Sequence, residues 1–137
     1  MCKRKGYGES SLRWMVSHYR VAARQRGLPF TITAEEGMVL LAAPCHYCGT
    51  PPSKVFGRKG GYGECVYNGV DRVDNERGYE AGNVVSCCTD CNLAKGTMSG
   101  EQYLALVLRV SRHQGWTSVP ERSVPPRVSL RHTKRAI

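Results

Sequence analysis

The chain has 137 residues, which suits one domain with short extensions, and its 41% hydrophobic residues indicate a modest core. Twenty basic residues against eleven acidic ones give a net charge of +9, which favours a polyanionic partner such as nucleic acid over a merely solvated basic surface. No apolar run approaches the roughly 20 residues of a membrane helix, and the charged start lacks the apolar segment of a signal peptide. We therefore expect a soluble protein inside a cell, without a membrane partner.

Residues 9–26 predict an amphipathic helix, because apolar residues recur there at three- and four-residue steps. Ser10 or Ser11 is the expected N-cap, and Gly27 the expected C-terminal stop. His18 has no partner at metal-ligand spacing, so we assign it to the surface or to packing. The basic residues of the helix form either a solvated side or a contact with a phosphate backbone: Arg20, Arg24 and Arg26.

A second helix is predicted over residues 34–42, where Thr33 and Glu36 have the spacing of a T-x-x-E capping box. Residues 49–64 follow the first cysteine pair and are rich in glycine, proline and basic side chains. This composition predicts a long loop without regular structure, which either orders on a phosphate backbone or remains a surface excursion.

Two short strands are predicted next, over residues 65–73 and 83–88, joined through a turn at residues 75–78. Gly78 is the position where this turn is expected to need positive φ. The first strand carries three candidate core residues: Val66, Val70 and Val73.

Two further helices are predicted, one that begins at Thr89 or Cys91 and runs to Met98, and one from Ser99 to just before Gly115. The last helix is expected to pack its apolar residues over the preceding unit: Leu104, Val107, Leu108 and Val110. Beyond it the periodic pattern ends, and residues 112–137 read as a basic tail that is disordered on its own.

Four cysteines have the spacing of zinc ligands, as Cys45-x-x-Cys48 and Cys88-x-x-Cys91. Such turns aim two thiolates at one tetrahedral ion, and a site of four cysteines is closed and structural. The 39 residues between the pairs exceed the roughly 15–20 of a simple zinc ribbon, so the pairs enclose a larger insert. A reducing compartment and the paired spacing favour Zn²⁺ over disulfides. The other cysteines are interpreted as structural or incidental thiols: Cys2, Cys65 and Cys87.

The combined pattern resembles the HNH (His-Asn-His) endonucleases, in the zinc-knuckled ββα-metal form found in phages and mobile elements. Its residues are Cys45-x-x-Cys48, Gly69-Val-Asp71-Arg72-Val-Asp74-Asn75-x-x-Gly78-Tyr79-x-x-x-Asn83-Val-Val and Cys88-x-x-Cys91-Asn92-x-x-Lys95. The resemblance implies an α+β fold, a small zinc-stabilised ββα finger flanked by helices. It covers residues 34–111, which leaves residues 1–33 as a basic helical extension and residues 112–137 as the tail.

The resemblance also implies a second metal site, because the family places one divalent ion at the ββα finger and cleaves a phosphodiester. Mg²⁺ or Mn²⁺ would be held by Asp71 and Asn92, which supply the oxygen ligands that such ions prefer. Asn83 matches the asparagine that orients the loop between the strands, and Lys95 is placed to contact phosphate. The alternative roles of Asp71 and Asn92 are capping of a turn and of a helix.

One position departs from the family pattern, because Arg72 stands where the family usually has a histidine as general base. A guanidinium stays protonated, so it cannot take a proton from water, although it can stabilise the charge of the pentavalent phosphate. Water activation then falls to Asp74, to His46 or to a metal-bound hydroxide. Otherwise the enzyme is slow or needs a structured substrate, or the finger has lost catalysis and kept DNA binding.

The sequence therefore predicts a metal-dependent HNH endonuclease that acts on DNA in the cytoplasm of a bacterial or phage-infected cell. The alternative is a weak or inactive zinc-stabilised nucleic-acid-binding protein, with a protein partner in a DNA-processing machine. A zinc-ribbon module for protein interaction is disfavoured, because it would not need so basic a chain.

Overall fold

The computed structural model describes residues 8–57 and 63–116. Within them the chain forms four helices and two small antiparallel sheets, so the predicted α+β class is confirmed. The chain divides after Ala105 into two compact units. The elements are α1 (Glu9–Gln25), α2 (Ala34–Ala42), β1 (Lys54–Phe56), β2 (Cys65–Tyr67), β3 (Gly69–Arg72), β4 (Val84–Cys87), α3 (Thr89–Lys95) and α4 (Gly100–Gln114).

The first helix has the predicted extent but a different start. Its N-cap is Gly8 at a φ of 81°, without a side-chain cap, so the assignment of this role to Ser10 or Ser11 is wrong. Ser11 is buried instead, and its hydroxyl donates to the carbonyl of Gly63 at 2.8 Å. The serine thus makes a tertiary contact rather than a local one, and a glycine takes the left-handed position that a Cβ would disfavour.

The second helix begins with the predicted capping box. The N–H of Glu36 donates to the Thr33 hydroxyl at 3.1 Å, and the N–H of Thr33 donates to the Glu36 carboxylate at 2.7 Å. Gly37 lets this helix approach α1 closely, since a Cβ there would lie 2.8 Å from the methyl groups of Val16. Together the two helices bury the main apolar cluster, which includes Val16 and Leu41.

The loop predicted over residues 49–64 contains a strand, so the prediction of a segment without regular structure is wrong. β1 pairs antiparallel with β2, and Lys54 lies opposite Tyr67. Three strand residues between glycines and prolines are too few to show an alternating pattern, which explains the error. Two basic residues of the predicted loop lie outside the described residues: Arg58 and Lys59.

The strand predicted over residues 65–73 is broken at Asn68 into two strands that belong to different sheets. Asn68 is 1% exposed, and its side-chain amide donates to the carbonyls of Ala43 and Thr50 at 3.0 and 3.2 Å. These bonds tie the break to the segment around the first cysteine pair. Val66, a predicted core residue, is 52% exposed, so that assignment is also wrong.

The predicted ββα unit is present. β3 and β4 form an antiparallel pair with Asp71 opposite Val85, and α3 follows directly. Cys88 is the N-cap of α3, and its sulfur accepts from the N–H of Cys91 at 3.4 Å. The order of cysteine pair, strand, turn, strand, cysteine pair and helix is therefore confirmed.

The turn between these strands requires Gly78 for a different reason than predicted. Gly78 does not have positive φ, which occurs at Gly82 instead, at 79°. A Cβ on Gly78 would collide with the carbonyl oxygen of Pro29, and the N–H of Tyr79 donates to that oxygen at 2.8 Å. Glycine is needed here because the turn lies against the segment after α1.

The last helix ends before Gly115, as predicted, but the prediction of a buried apolar face is wrong. The four residues that were expected to pack are each 45–49% exposed: Leu104, Val107, Leu108 and Val110. Of the predicted tail, residues 117–137 lie outside the described residues, as does Cys2. Among the described helices, none combines the length and apolar character needed to cross a membrane.

Candidate active site

The four predicted zinc ligands converge. The sulfur atoms of Cys45, Cys48, Cys88 and Cys91 lie within 4.8 Å of one another. Those of Cys48 and Cys88 are 3.6 Å apart, close to the distance of about 3.8 Å between two sulfurs that are each about 2.3 Å from a tetrahedral zinc ion. The donor set and its spacing therefore fit a structural zinc site.

The electrostatics of the cluster also favour a cation. Burial alone would raise the pKa of the Cys45 thiol, but three backbone N–H groups of the two cysteine turns lower it to about 6. Burial raises the pKa of Cys88 and of Cys91. Because four thiolates at this spacing repel each other, a dication held by these cysteines would keep all four deprotonated, and its binding would contribute to folding.

The first cysteine turn is attached to the ββα unit. The N–H of His46 donates to the carbonyl of Ser86 in β4 at 2.8 Å. The Ser86 hydroxyl donates in turn to the carbonyl of Ala43, just before the turn, at 2.9 Å. The zinc cluster therefore orients β4 and, through the β3–β4 pairing, β3.

A cavity of about 510 Å³ lies beside β3, and it brings three of the predicted site residues together: Asp71, Arg72 and Asn92. Asp71 and Arg72 come from β3, whereas Asn92 comes from the first turns of α3. The segment ending α1 and the β1–β2 hairpin contribute further polar residues to the lining: His18, Arg26, Lys54 and Tyr67.

Both carboxylate oxygens of Asp71 have donors. The Tyr47 hydroxyl donates to Oδ2 at 2.9 Å, and the Lys95 ammonium donates to Oδ1 at 3.3 Å. Burial and, next, the bond to Asp71 raise the pKa of Tyr47, so its hydroxyl stays protonated as a donor. Since each carboxylate oxygen has a second lone pair, Asp71 retains acceptor sites for a cation.

Lys95 is directed away from the cavity. Its side chain is 0% exposed, and its ammonium donates to the Arg72 carbonyl at 3.1 Å in addition to Asp71. It therefore neutralises the buried carboxylate. In this arrangement the ammonium is bonded inside the protein, whereas the sequence predicted that it contacts a phosphate.

Arg72 is held with its guanidinium at the cavity. Its Nη1 donates to the carbonyls of Asn75 and Arg77 at 2.7 and 2.8 Å, and its guanidinium carbon lies 5.7 Å from the ring centre of Tyr79. These contacts fix the side chain through neutral groups, which leaves the cationic charge uncompensated.

The cavity has a positive balance. Arg26 donates to the Tyr79 hydroxyl at 2.8 Å, and the Lys54 ammonium lies 5.7 Å from the ring centre of Tyr67. Within the described part of the chain, neither residue nor Arg72 takes part in an ion pair, whereas the acidic lining residue, Asp71, is paired with Lys95. The cavity is therefore suited to an anion.

The other predicted residues lie elsewhere. The Asn83 amide oxygen accepts from the Asp74 N–H at 2.9 Å, and its amide nitrogen donates to the carbonyls of Gly78 and Asp74 at 2.9 and 3.1 Å. Asn83 thus closes the loop between β3 and β4. His46 packs edge-on against Tyr47, and none of Asn83, Asp74 and His46 is among the described residues that line the cavity.

Three residues of the site escaped the sequence reasoning: His18, Tyr47 and Tyr67. The sequence does contain a signal for His18, because it lies at helical spacing from Met15 and Ala22 on one face of α1, and Arg26 follows on the same face. The sequence contains no such signal for Tyr47, which is a variable position of a C-x-x-C turn, or for Tyr67, which belongs to a strand of three residues. Neither segment is long enough to show a periodic pattern.

Comparison with known proteins supports the fold. A solved structure of the rare-cutting HNH restriction endonuclease PacI matches with a TM-score of 0.51 and 21% identity, covering 75% of this chain and 81% of that one. At this identity the likeness shows the fold alone. Together with the four-cysteine cluster, it confirms the predicted zinc-stabilised ββα finger.

Two other comparisons do not indicate a function. An uncharacterized protein of Acanthamoeba polyphaga mimivirus is 29% identical over 99 residues, which is 69% of this chain. The chain spans only 16% of the length of that relative. No protein-family model matches the chain.

The zinc site predicts a loss of folding when one ligand is removed. We expect Cys88→Ser to lose bound zinc and cooperative thermal unfolding, because both the metal bonds and the Cys88 cap of α3 are affected. Zinc content by mass spectrometry and thermal unfolding by circular dichroism measure this. Cys65→Ser, at a buried cysteine outside the cluster, should keep one zinc ion per chain. Full zinc content in Cys88→Ser would refute the assignment.

Proposed function

We propose that the chain is a metal-dependent endonuclease that hydrolyses phosphodiester bonds of DNA at the cavity beside β3. The observation that carries the proposal is that Asp71, Arg72 and Asn92 line one positively charged cavity. The HNH endonuclease fold supports the reaction class, and the charge of +9 supports DNA as the substrate.

Asp71 and Asn92 are the residues that would hold Mg²⁺ or Mn²⁺. They offer one carboxylate and one amide oxygen, which is enough for an ion that keeps several waters and shares its coordination with phosphate. Asn92 is exposed at the cavity, and Asp71 faces it with the acceptor sites that Tyr47 and Lys95 leave. When bound, such an ion polarises the phosphate and stabilises the leaving oxygen.

Arg72 would stabilise the phosphate charge that grows during attack. Two backbone carbonyls engage Nη1, so Nε and Nη2 keep N–H donors for phosphate oxygens. Charge-assisted bonds of this kind are the stronger class of hydrogen bond, and a side chain already held in place loses little entropy in forming them.

His18 is our candidate for the general base. It lines the cavity on α1, whereas His46, considered from the sequence, does not. An imidazole has a ring-nitrogen lone pair that can accept the proton of the attacking water, and the guanidinium of Arg72 has no acceptor. The water oxygen then bonds to phosphorus, the bond from phosphorus to the leaving oxygen breaks, and solvent protonates the leaving oxygen.

A non-catalytic DNA-binding protein is the second candidate, and one observation favours it. The charge of Asp71 is already neutralised by a buried ammonium, which weakens its attraction for a dication. The cationic cavity would then bind a phosphate without cleaving it.

Nicking of supercoiled plasmid tests between the two candidates. We expect nicking with Mg²⁺ or Mn²⁺, none with chelator, and a loss of about 100-fold or more in Asp71→Asn, since the ion supplies several kcal/mol and about 1.4 kcal/mol corresponds to tenfold in rate. Glu101→Gln removes one exposed carboxylate on α4 and should leave nicking unchanged. If the protein binds DNA but does not nick it with any divalent metal, the nuclease proposal is wrong and the chain is a DNA-binding protein.

Two exposed histidines test the assignment of the base. We expect His18→Gln to lower the single-turnover rate by about 10²–10⁴-fold with DNA affinity retained, because a general base contributes that much. His113→Gln is the matched control, at an exposed histidine outside the cavity lining, and its rate should be that of the wild type. Equal rates for the two variants would remove His18 from the mechanism.

Two exposed arginines near the end of α1 test the anion site at constant net charge. We expect Arg26→Ala to weaken DNA binding and to reduce the slope of log K against log salt by about 0.9, the value for one phosphate contact. Arg24→Ala loses the same charge outside the cavity lining, so its slope should change less. Anisotropy titrations over a range of salt concentrations measure both, and equal slopes would place the phosphate contact elsewhere.

A further inference from the structure

Tyr47 connects the zinc cluster to the cavity. It occupies the last variable position of the first C-x-x-C turn, beside the ligand Cys48, and its hydroxyl donates to Asp71 Oδ2 at 2.9 Å. The Lys95 ammonium binds the other oxygen. Two donors on two oxygens define the plane of the carboxylate, so they determine which lone pairs point into the cavity.

The position of this hydroxyl is restricted on several sides. The rings of Tyr103 and His46 pack edge-on against the Tyr47 ring, with centroid distances of 5.4 and 5.1 Å. Gly100 completes the enclosure, because a Cβ there would lie 3.0 Å from the Tyr47 hydroxyl. Tyr103 also bonds through its side chain to Cys91, so a second zinc ligand supports the same enclosure.

The two donors on Asp71 differ in charge. The ammonium of Lys95 repels any dication that approaches the carboxylate, whereas the hydroxyl of Tyr47 is neutral. A phenolic hydroxyl carries no positive charge in either of its protonation states. Tyr47 can therefore orient the carboxylate without adding positive charge beside the cation.

We propose that Tyr47 is a positioning residue, which holds the Asp71 carboxylate in the orientation that binds a divalent cation in the cavity. This inference rests on the proposed function, since it assumes that Asp71 is a metal ligand. The zinc cluster then has a role beyond folding, because its first turn carries the side chain that orients a ligand of the second metal.

The test measures Mn²⁺ binding to the zinc-loaded full chain by electron paramagnetic resonance. We expect Tyr47→Phe to weaken Mn²⁺ binding by about 10–100-fold, the range seen when a hydrogen-bond partner of a ligand is lost, with one zinc ion per chain and thermal stability retained. Ser17→Ala removes an exposed hydroxyl of α1 that donates to the Arg13 carbonyl outside the cavity lining, so it should leave Mn²⁺ affinity unchanged. A merely structural role for Tyr47 would change stability but not affinity.

The possible outcomes separate this inference from the proposed function. If Asp71→Asn binds Mn²⁺ as the wild type does, the metal site and the role of Tyr47 both fail. If Asp71 is needed and Tyr47→Phe binds equally well, only the role of Tyr47 fails. Should Tyr47→Phe not fold, Gly100→Ala takes its place, because the added Cβ presses on the hydroxyl and on Val73 at 3.0 Å. Unchanged affinity in a zinc-loaded Gly100→Ala would overturn the inference.

Discussion

The convergence of four sulfur atoms is the constraint on which the rest of the ββα unit depends. The first cysteine turn binds β4 through the N–H of His46, and the second turn starts α3 with Cys88 as its cap. A helix of seven residues has little stability of its own, so its direction depends on this cap and would depend on the metal bonds of a zinc ion held by the cluster. That direction brings Lys95 against Asp71, and it places the start of α3 at the cavity.

The buried pair of Asp71 and Lys95 has to meet two requirements, because the same carboxylate is part of the protein interior and is the proposed metal ligand. An ion pair out of water stabilises a fold only when its remaining donors and acceptors are satisfied. Here the Arg72 carbonyl takes a second ammonium proton, and the Tyr47 hydroxyl occupies the second carboxylate oxygen. The same carboxylate is the proposed metal ligand, so its structural partners also set how strongly it attracts a cation. Three cations of the lining have no ion-pair partner among the described residues, and on our proposal they attract the phosphate: Arg26, Lys54 and Arg72.

Sequence reasoning succeeded where a pattern is local. The cysteine spacing, the Thr33–Glu36 box and the helical periodicity each depend on neighbours within a few residues, and each is present as predicted. It failed where contacts cross the chain. Asn68 breaks a strand by bonding to residues before and after the first cysteine turn, and nothing near it in sequence indicates this. The burial of Lys95 is equally invisible, since an ion pair that spans 24 residues has no periodicity.

The position of His18 changes how the substitution of Arg72 is understood. Arginine at this position of β3 leaves the site without a general base only if no other element can supply one. The cavity is also lined by α1, which carries His18. On our proposal, His18 of α1 accepts the proton that a histidine on the strand accepts in the family, and Arg72 of β3 contacts the phosphate. On this proposal the catalytic unit includes α1, the same helix that buries the main apolar cluster with α2, so folding and proton transfer depend on one element.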